Sequence, residues 1–244
     1  MRRVAIVQAR MKSSRLPGKP LLEVAGAPML AREIERLGRC RTLDEIVIAT
    51  TTDPADDPIA MLAERCGVRP YRGSENDVLA RYVGAARDAA ADLVIRVTGD
   101  CPLIDPRIVD LVAETLTGTD GPCDFASNVI QRSFPRGLDC EALFTDVLAR
   151  VDRLATSASS REHVTPFIYV ERPDLWVIRP VVDVSDNSDL RWTVDTKEDL
   201  DLVRRLYLEL TLVTRHLDHR AIVAHVRSHP ELLAINAHIQ QKPL

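Results

Sequence analysis

The sequence predicts an α/β fold: a doubly wound, mainly parallel sheet with helices on both faces, followed by a helical C-terminal tail. Three observations carry this. Short, nearly continuous apolar runs such as Val4-Ala5-Ile6-Val7 and Leu93 to Val97 read as strands buried on both sides. They alternate with segments of about 10–15 residues whose apolar positions recur at helical spacing. After Leu210 the strand signal stops, and a helical pattern from Asp218 to Ile239 is divided by Pro230. A chain of 244 residues with 45% apolar content can form one large domain that buries roughly 70–75% of the surface its unfolded chain exposes.

The elements follow in order. Val4 to Val7 is β-branched and apolar, the polar segment Gln8 to Lys19 is a loop, and Leu30, Ile34 and Leu37 mark one face of a helix starting at Pro28. Glu45 to Thr50 repeats the strand signal; Asp57-Pro58 then supplies a cap and a first-turn proline for a helix with Ile59, Leu62, Ala63 and Cys66 inward. Arg69 to Arg72 is a short third strand. Asn76 and Asp77 cap the next helix, which buries Val78, Leu79, Tyr82, Val83, Ala86 and Ala90. Leu93 to Val97 is the fourth strand, and Asp105-Pro106 opens a helix with Ile108, Leu111, Val112 and Leu116 inward. Beyond Gly121 the rhythm breaks. Leu138 to Phe144 and Leu175 to Val184 read as strands with a helix from Ser159 to Val170 between them, then Trp192-Thr193-Val194 as a strand before a helix from Thr196 to Leu210.

Composition removes several classes of function. With 32 Lys and Arg against 36 Asp and Glu, the chain lacks the basic face that general nucleic-acid binding requires. Its ten aromatic residues (four Phe, two Trp, four Tyr) leave few to stack on bases. No run of apolar residues is long enough to cross a membrane, and no signal-type segment follows Met1, so no membrane insertion and a cytoplasmic location are expected. Five cysteines without CxxC spacing (Cys40, Cys66, Cys101, Cys123 and Cys140) read as free thiols rather than as a disulfide or zinc framework.

In doubly wound sheets ligands bind beyond the carboxyl ends of the strands, where strand order reverses. With the first and fourth strands adjacent at that point, the loops after Val7 and Val97 face each other. The first loop places four cations, Arg10, Lys12, Arg15 and Lys19, within ten residues, together with Ser13, Ser14 and Gly18. Such a loop can hold a triphosphate through its cations and backbone N–H groups; it is neither a Walker A loop nor GxGxxG, and a solvated basic turn is the alternative. The second loop, Thr98-Gly99-Asp100-Cys101-Pro102-Leu103-Ile104-Asp105, offers Asp100 either as a Mg²⁺ ligand or as a turn aspartate. Asp105 is explained as a helix cap and Cys101 as a packing residue. Asp195 is either a second Mg²⁺ ligand or the cap of the Thr196 helix.

Asp139 and Glu141 alternate on an expected strand and so share a face. With Arg136 they could grip sugar hydroxyls or form a surface ion pair. His163, beside Arg161, is either a substrate contact or a helix-surface residue, while His216, His219, His225, His229 and His238 read as solvated.

These residues resemble a known family. Seven ordered segments, Arg10 to Leu21, Ala49 to Pro58, Arg72 to Tyr82, Arg96 to Pro106, Phe134 to Glu141, Ser159 to Tyr169 and Leu190 to Leu200, look like the cytidylyltransferases that activate 3-deoxy-manno-octulosonate and acylneuraminate sugars. The strongest likeness is to the spore coat polysaccharide biosynthesis protein F branch. The resemblance covers about the first 210 residues, which implies a nucleotidyltransferase domain over 1–210 and a helical extension over 211–244. It also implies the nucleotide-diphospho-sugar transferase fold, CTP and Mg²⁺ as cofactor, pyrophosphate release, a sugar or sugar-acid acceptor and a homodimer. By position, Arg10 and Lys19 match phosphate-binding cations, and Gln8 and Ala9 match backbone near the base. Arg72 and Ser74 match a base-contacting segment, and Asp100 and Asp195 match the magnesium pair. Ser13, Ser14 and Arg15 join the nucleotide set, while Arg136, Asp139, Glu141, Arg161 and His163 form the candidate sugar set. Cys101 stands where the octulosonate enzymes have Glu, so the acceptor does not transfer by resemblance. The expected reaction is in-line attack of a sugar hydroxyl on the α-phosphorus of CTP, with Arg10, Lys19 and Asp100 catalytic. A nucleotide-sugar-dependent glycosyltransferase of similar fold and a non-catalytic nucleotide-binding subunit are the competing readings.

Overall fold

The computed structural model describes residues 1–13 and 15–241. In chain order, β1 (Arg3–Gln8) leads through a long loop and a small ribbon, β2 (Glu23–Val24) with β3 (Ala27–Pro28), into α1 (Met29–Leu37). Then come β4 (Glu45–Thr51), α2 (Asp57–Arg65), β5 (Arg69–Gly73), α3 (Val78–Asp88), β6 (Leu93–Thr98) and α4 (Pro106–Thr117). The second half contributes β7 (Phe125–Ser127), β8 (Glu141–Phe144), α5 (Thr145–Leu154), α6 (Ala158–His163), β9 (Ile178–Pro180), α7 (Lys197–Glu209), α8 (His219–Ser228) and α9 (Pro230–Asn236).

The main sheet has the order β5-β4-β1-β6-β8-β7-β9. β5, β4, β1 and β6 are parallel; β8 runs antiparallel to both β6 and β7, and β7 pairs parallel with β9. The first and fourth strands of the chain's regular half, β1 and β6, are therefore neighbours at the reversal point, the common order of doubly wound sheets. Alternation along each strand divides the core between two faces. Ala5 and Val7 of β1 pack on the side of α1, α2, α4 and α7–α9, whereas Val4 and Ile6 meet α3, α5 and the segment after α6. Ile222, Val226 and Leu232 of the C-terminal helices join the first of these clusters.

The irregular half departs from the sequence expectation. α5 and β7 have no counterpart in that reading, and β8 and β9 are each shorter than the runs expected there. The helix expected over Ser159 to Val170 breaks at Val164, whose φ is +73°, before a separate turn of helix at Phe167–Glu171. Trp192 to Val194 is no strand. It is held by bonds from the Trp192 and Thr193 N–H groups to the Arg136 carbonyl, at 2.7 and 3.1 Å. That close approach requires Gly137: its φ is +99°, and a Cβ there would lie 2.4 Å from the Thr193 nitrogen. Helix caps are also redistributed. α2 starts at Asp57 with Asp56 before it; Asp77 and Asp105 cap α3 and α4 as expected. Thr196, with Asp199, forms a capping box on α7, which leaves Asp195 uncommitted as a cap. All five cysteines are free.

Candidate active site

The loops after β1 and β6 meet as the topology requires. Gly99 packs directly against the end of β1, its N–H 2.8 Å from the Gln8 carbonyl, and a Cβ there would sit 2.9 Å from the same oxygen. The Val194 N–H in turn reaches the Asp100 carbonyl at 2.9 Å. These two backbone bonds bring Asp100 and Asp195 together, although they are far apart in sequence.

Lys19 stands between them. Its Nζ donates to Asp100 Oδ2 and Asp195 Oδ1, both at 2.9 Å, and to the Val194 carbonyl at 3.1 Å. Burial works against the Lys19 charge, but attraction to the two carboxylates outweighs it and raises the pKa. Burial likewise pushes the Asp100 carboxyl up, yet the Lys19 charge and bonds from Lys19, Thr98 and Cys101 hold it below the usual range. Asp195 Oδ2 accepts from Arg191 at 2.9 Å and lies 3.0 Å from Arg15.

Two cavities of about 810 and 840 Å³ flank this centre. Gln8, Arg15, Thr98, Asp100, Glu162, His163 and Asp195 line both and form their common wall. The 840 Å³ cavity takes Ala9, Arg10, Lys12, Ser13 and Lys19 from the first loop and Arg81 from α3. It is rich in cations: Lys12 is neutralised by Asp53 and Glu75 at 2.7 and 2.8 Å, whereas among the described residues the carboxylate facing Arg10 is Glu162, at 3.9 Å. Burial, then the nearby charges of which Arg10 is one, leaves Arg81 with a lowered pKa. Its Nε is buried without a partner among the described residues, as is Gln8 Oε1. A cleft lined by cations such as Arg10 and Arg81 suits an anion, whereas the Gln8 amide oxygen can only accept a hydrogen bond.

The 810 Å³ cavity is lined by Arg132, Arg136, Asp139, Glu141, Thr165, Tyr169 and Gln241 besides the common wall. Asp139 and Glu141 do face one space, but neither pairs with Arg136. Arg132 holds Asp139 through two bonds of 2.9 Å; Glu141, buried, is bonded to Arg96 and to the Thr165 hydroxyl. Burial and then the Arg132 charge lower the Arg136 pKa.

The structure therefore gathers Gln8, Ala9, Arg10, Ser13, Arg15, Lys19, Asp100, Arg136, Asp139, Glu141, His163 and Asp195 around one centre. Three candidates stand apart from the cavity linings. Arg161 pairs with Asp77 and Asp152, at 2.9 Å to the latter, and so ties α6 to α3 and to α5 instead of facing a sugar. Arg72 binds the Thr51 and Asp53 carbonyls at 2.8 Å, and the Ser74 hydroxyl accepts from the Asp77 N–H at 3.1 Å. Ser14 lies outside the described residues. Sequence reasoning missed Arg81, Arg132, Glu162, Thr165 and Tyr169. Arg81 sits in the quoted Arg72 to Tyr82 segment, and Glu162, Thr165 and Tyr169 in the Ser159 to Tyr169 segment, so their positions were visible; their orientation was not. His219, expected in solvent, is buried between Asp105 and Asp183, 2.9 and 3.0 Å away. Cys101 is buried, and burial pushes its thiol well above the ordinary range, consistent with packing.

The cytidylyltransferase family profile matches residues 4–215. This chain belongs to that family. An uncharacterised protein of Methanocaldococcus jannaschii is 33% identical over 99% of this chain and 97% of its own length. The spore coat polysaccharide biosynthesis protein SpsF of Bacillus subtilis is 30% identical over 83% and 85% of the two chains, and the 3-deoxy-manno-octulosonate cytidylyltransferase of Syntrophobacter fumaroxidans 34% over 52% and 51%. A solved cytidylyltransferase from Leptospira borgpetersenii superposes with a TM-score of 0.90 at 30% identity, covering 100% of this chain and 99% of that one. A CMP-2-keto-3-deoxy-manno-octonic acid synthetase in complex with CTP gives a TM-score of 0.67 at 22% identity, over 86% of this chain and 100% of that chain, and shares the fold. Family membership favours cytidylyl transfer from CTP over the glycosyltransferase and non-catalytic readings.

Among the described residues no cluster of three or more His, Cys, Asp and Glu could hold a metal, so protein ligands alone do not make a cage. Mg²⁺ typically needs only one or two carboxylates, completing its shell with substrate phosphates and water. Asp100 and Asp195 fit that requirement: they already converge on one cation, the Lys19 ammonium, beside the cation-rich cavity.

Proposed function

We propose that this cytidylyltransferase binds CTP with Mg²⁺ in the 840 Å³ cavity and passes CMP to a sugar or sugar-acid hydroxyl held in the 810 Å³ cavity, for glycan or surface polysaccharide synthesis. The observation that carries this reading is the Lys19–Asp100–Asp195 centre, placed in and beside the wall that a cationic and a mixed-charge cavity share. The relatives named for spore coat polysaccharide and for 3-deoxy-manno-octulosonate support an acceptor of the sugar class.

In this mechanism the chain's task is placement and charge neutralisation. Arg10, Arg15 and Lys19, with loop N–H groups near Ser13, would bind the triphosphate, and Arg10 and Lys19 would stabilise charge growing on the departing pyrophosphate. Asp100 and Asp195 would hold Mg²⁺, whose charge stabilises the phosphoryl oxygens when bound. Gln8 offers a buried amide oxygen to a donor such as an exocyclic amino group. Arg136, Asp139, Glu141 and His163 would orient the acceptor. We further propose a cytoplasmic homodimer: β9 is an edge strand, and the segment after it leaves Val182 and Val184 46% and 91% exposed. Among the described residues, no helix is long and apolar enough to cross a membrane.

The test is pyrophosphate release by the purified chain from CTP, UTP, GTP or ATP, with and without Mg²⁺, over a panel of sugars and sugar acids. Release that requires CTP, Mg²⁺ and one acceptor class supports the proposal. A thermal shift with nucleoside diphosphates or nucleotide sugars but with no triphosphate would refute it.

A further inference from the structure

The family profile ends at residue 215, yet the chain beyond it reaches the active centre. Arg191, buried, donates through Nη2 to Asp195 Oδ2 at 2.9 Å, and grips Asp199 through Nε and Nη2 at 3.0 and 3.2 Å. Its remaining nitrogen, Nη1, donates to the side-chain oxygen of Gln241 at 2.5 Å, and Gln241 itself lines the 810 Å³ cavity. Asn236, at the end of α9 and buried, donates through Nδ2 to the Arg191 carbonyl at 2.9 Å and to Asp199 Oδ1 at 2.8 Å. The Asp199 carboxylate also accepts from the N–H groups of Asp195 and Thr196 at 3.0 Å.

Two residues of the extension thus fix both ends of Arg191: Asn236 its backbone and its partner Asp199, Gln241 the free edge of its guanidinium. A planar guanidinium held at three nitrogens has one orientation, and that orientation sets the Asp195 carboxylate. We propose that Asn236 and Gln241 are positioning residues of the cytidylyl-transfer site, acting through Arg191 on Asp195. The extension is then part of the active site, and closes one side of the acceptor cavity. The inference rests on the reading of Asp195 as a carboxylate that holds Mg²⁺ beside CTP. Groups one bond removed from a metal ligand govern affinity by orienting it.

The experiment uses the full chain and follows CTP-induced thermal stabilisation as Mg²⁺ is titrated. Gln241→Ala and Asn236→Ala should raise the Mg²⁺ concentration for half-maximal stabilisation by about tenfold, the low end for loss of a group that orients a metal ligand because both act through Arg191, while the shift given by CTP without Mg²⁺ stays as in wild type. Gln241→Glu, which keeps an acceptor for Arg191, should restore the midpoint; Gln240→Ala, an exposed neighbour, should leave it unchanged. A merely structural role would lower all melting temperatures without moving the midpoint. Unchanged midpoints in both alanine variants overturn the proposal, and Gln241→Ala alone decides it if Asn236→Ala does not fold. Failure of wild type to show any Mg²⁺-dependent CTP shift overturns the underlying reading, and this inference with it.

Discussion

Removing the Lys19 ammonium by Lys19→Met keeps most of the side-chain volume and strands the Asp100 carboxylate, while Asp195 keeps Arg191 and Arg15. Each carboxylate lies 2.9 Å from Nζ, with side chains 14% (Lys19), 20% (Asp100) and 14% (Asp195) exposed. At an effective dielectric constant near 20, a unit pair at 2.9 Å attracts by roughly 6 kcal/mol before desolvation is subtracted. Breaking a buried pair by deleting one partner costs about 3–5 kcal/mol, and residual solvent access moves this centre to about 2–3 kcal/mol. For a domain of this size that is about 4–12 °C in melting temperature. The sign with pH follows from Asp100. In wild type its carboxyl is held below 3.8, so its stabilisation is present above that value and lost as pH falls through the folded pKa. Without Lys19, burial raises the carboxyl instead, and the penalty fades on acidification. The gap between variant and wild type should therefore narrow from neutral pH to about pH 4. Mg²⁺ without nucleotide should stabilise Lys19→Met more than wild type, because a divalent ion takes the vacated place, while turnover should fall at least about 10²-fold. The assay is calorimetry of both proteins across pH and Mg²⁺. Equal melting temperatures, or a gap that widens on acidification, would refute the reasoning.

Three further outcomes are expected. Burial opposes the charge on His219, but hydrogen bonds to Asp105 and Asp183 raise its pKa above 6.5, so its contribution is full below 6.5 and lost as pH rises through the folded value; His219→Ala should cost about 2–4 kcal/mol at acid pH and flatten the decline in stability toward alkaline pH seen by thermal denaturation. Gly137→Ala should cost about 3 kcal/mol or more and weaken acceptor turnover, since its Cβ would strike the backbone of Thr193 and Trp192; unaltered denaturant midpoints would contradict this. Burial, and then the Asp100 charge, push the Glu33 carboxyl well above its ordinary value while Oε2 accepts the Cys101 N–H, so the neutral Glu33→Gln should change stability by less than about 1 kcal/mol and Glu33→Ala should cost about 1–3 kcal/mol, a ranking that urea titration can reverse.

What the sequence made legible was local or periodic. The parallel half follows from apolar runs, helical spacing and caps, and the common strand order of doubly wound sheets sets the two polar loops opposite each other. The second half defied such reading because its structure is set by single long-range contacts. Val164 adopts a positive-φ conformation inside an otherwise helical pattern, and Trp192 to Val194 is held by the Arg136 and Asp100 carbonyls rather than by a neighbouring strand. Motif resemblance picked loops that meet around one cleft but not the side chains' directions: in Ser159 to Tyr169 it selected Arg161, which braces helices, together with His163, which lines the cleft, and passed over Glu162 between them. His219 looked solvated because its partners Asp105 and Asp183 are 114 and 36 residues away in the chain.

The wall shared by the two cavities has a consequence for inhibition. Seven residues belong to both spaces, so a nucleotide fragment and a polyhydroxylated fragment bound on either side lie within a short tether of each other while most of each lining stays independent. Joining the fragments makes the second binding event intramolecular, at an effective concentration in the millimolar range for a short linker. A linked compound should then bind far more tightly than either half, and its optimum linker length would measure the separation of the two spaces.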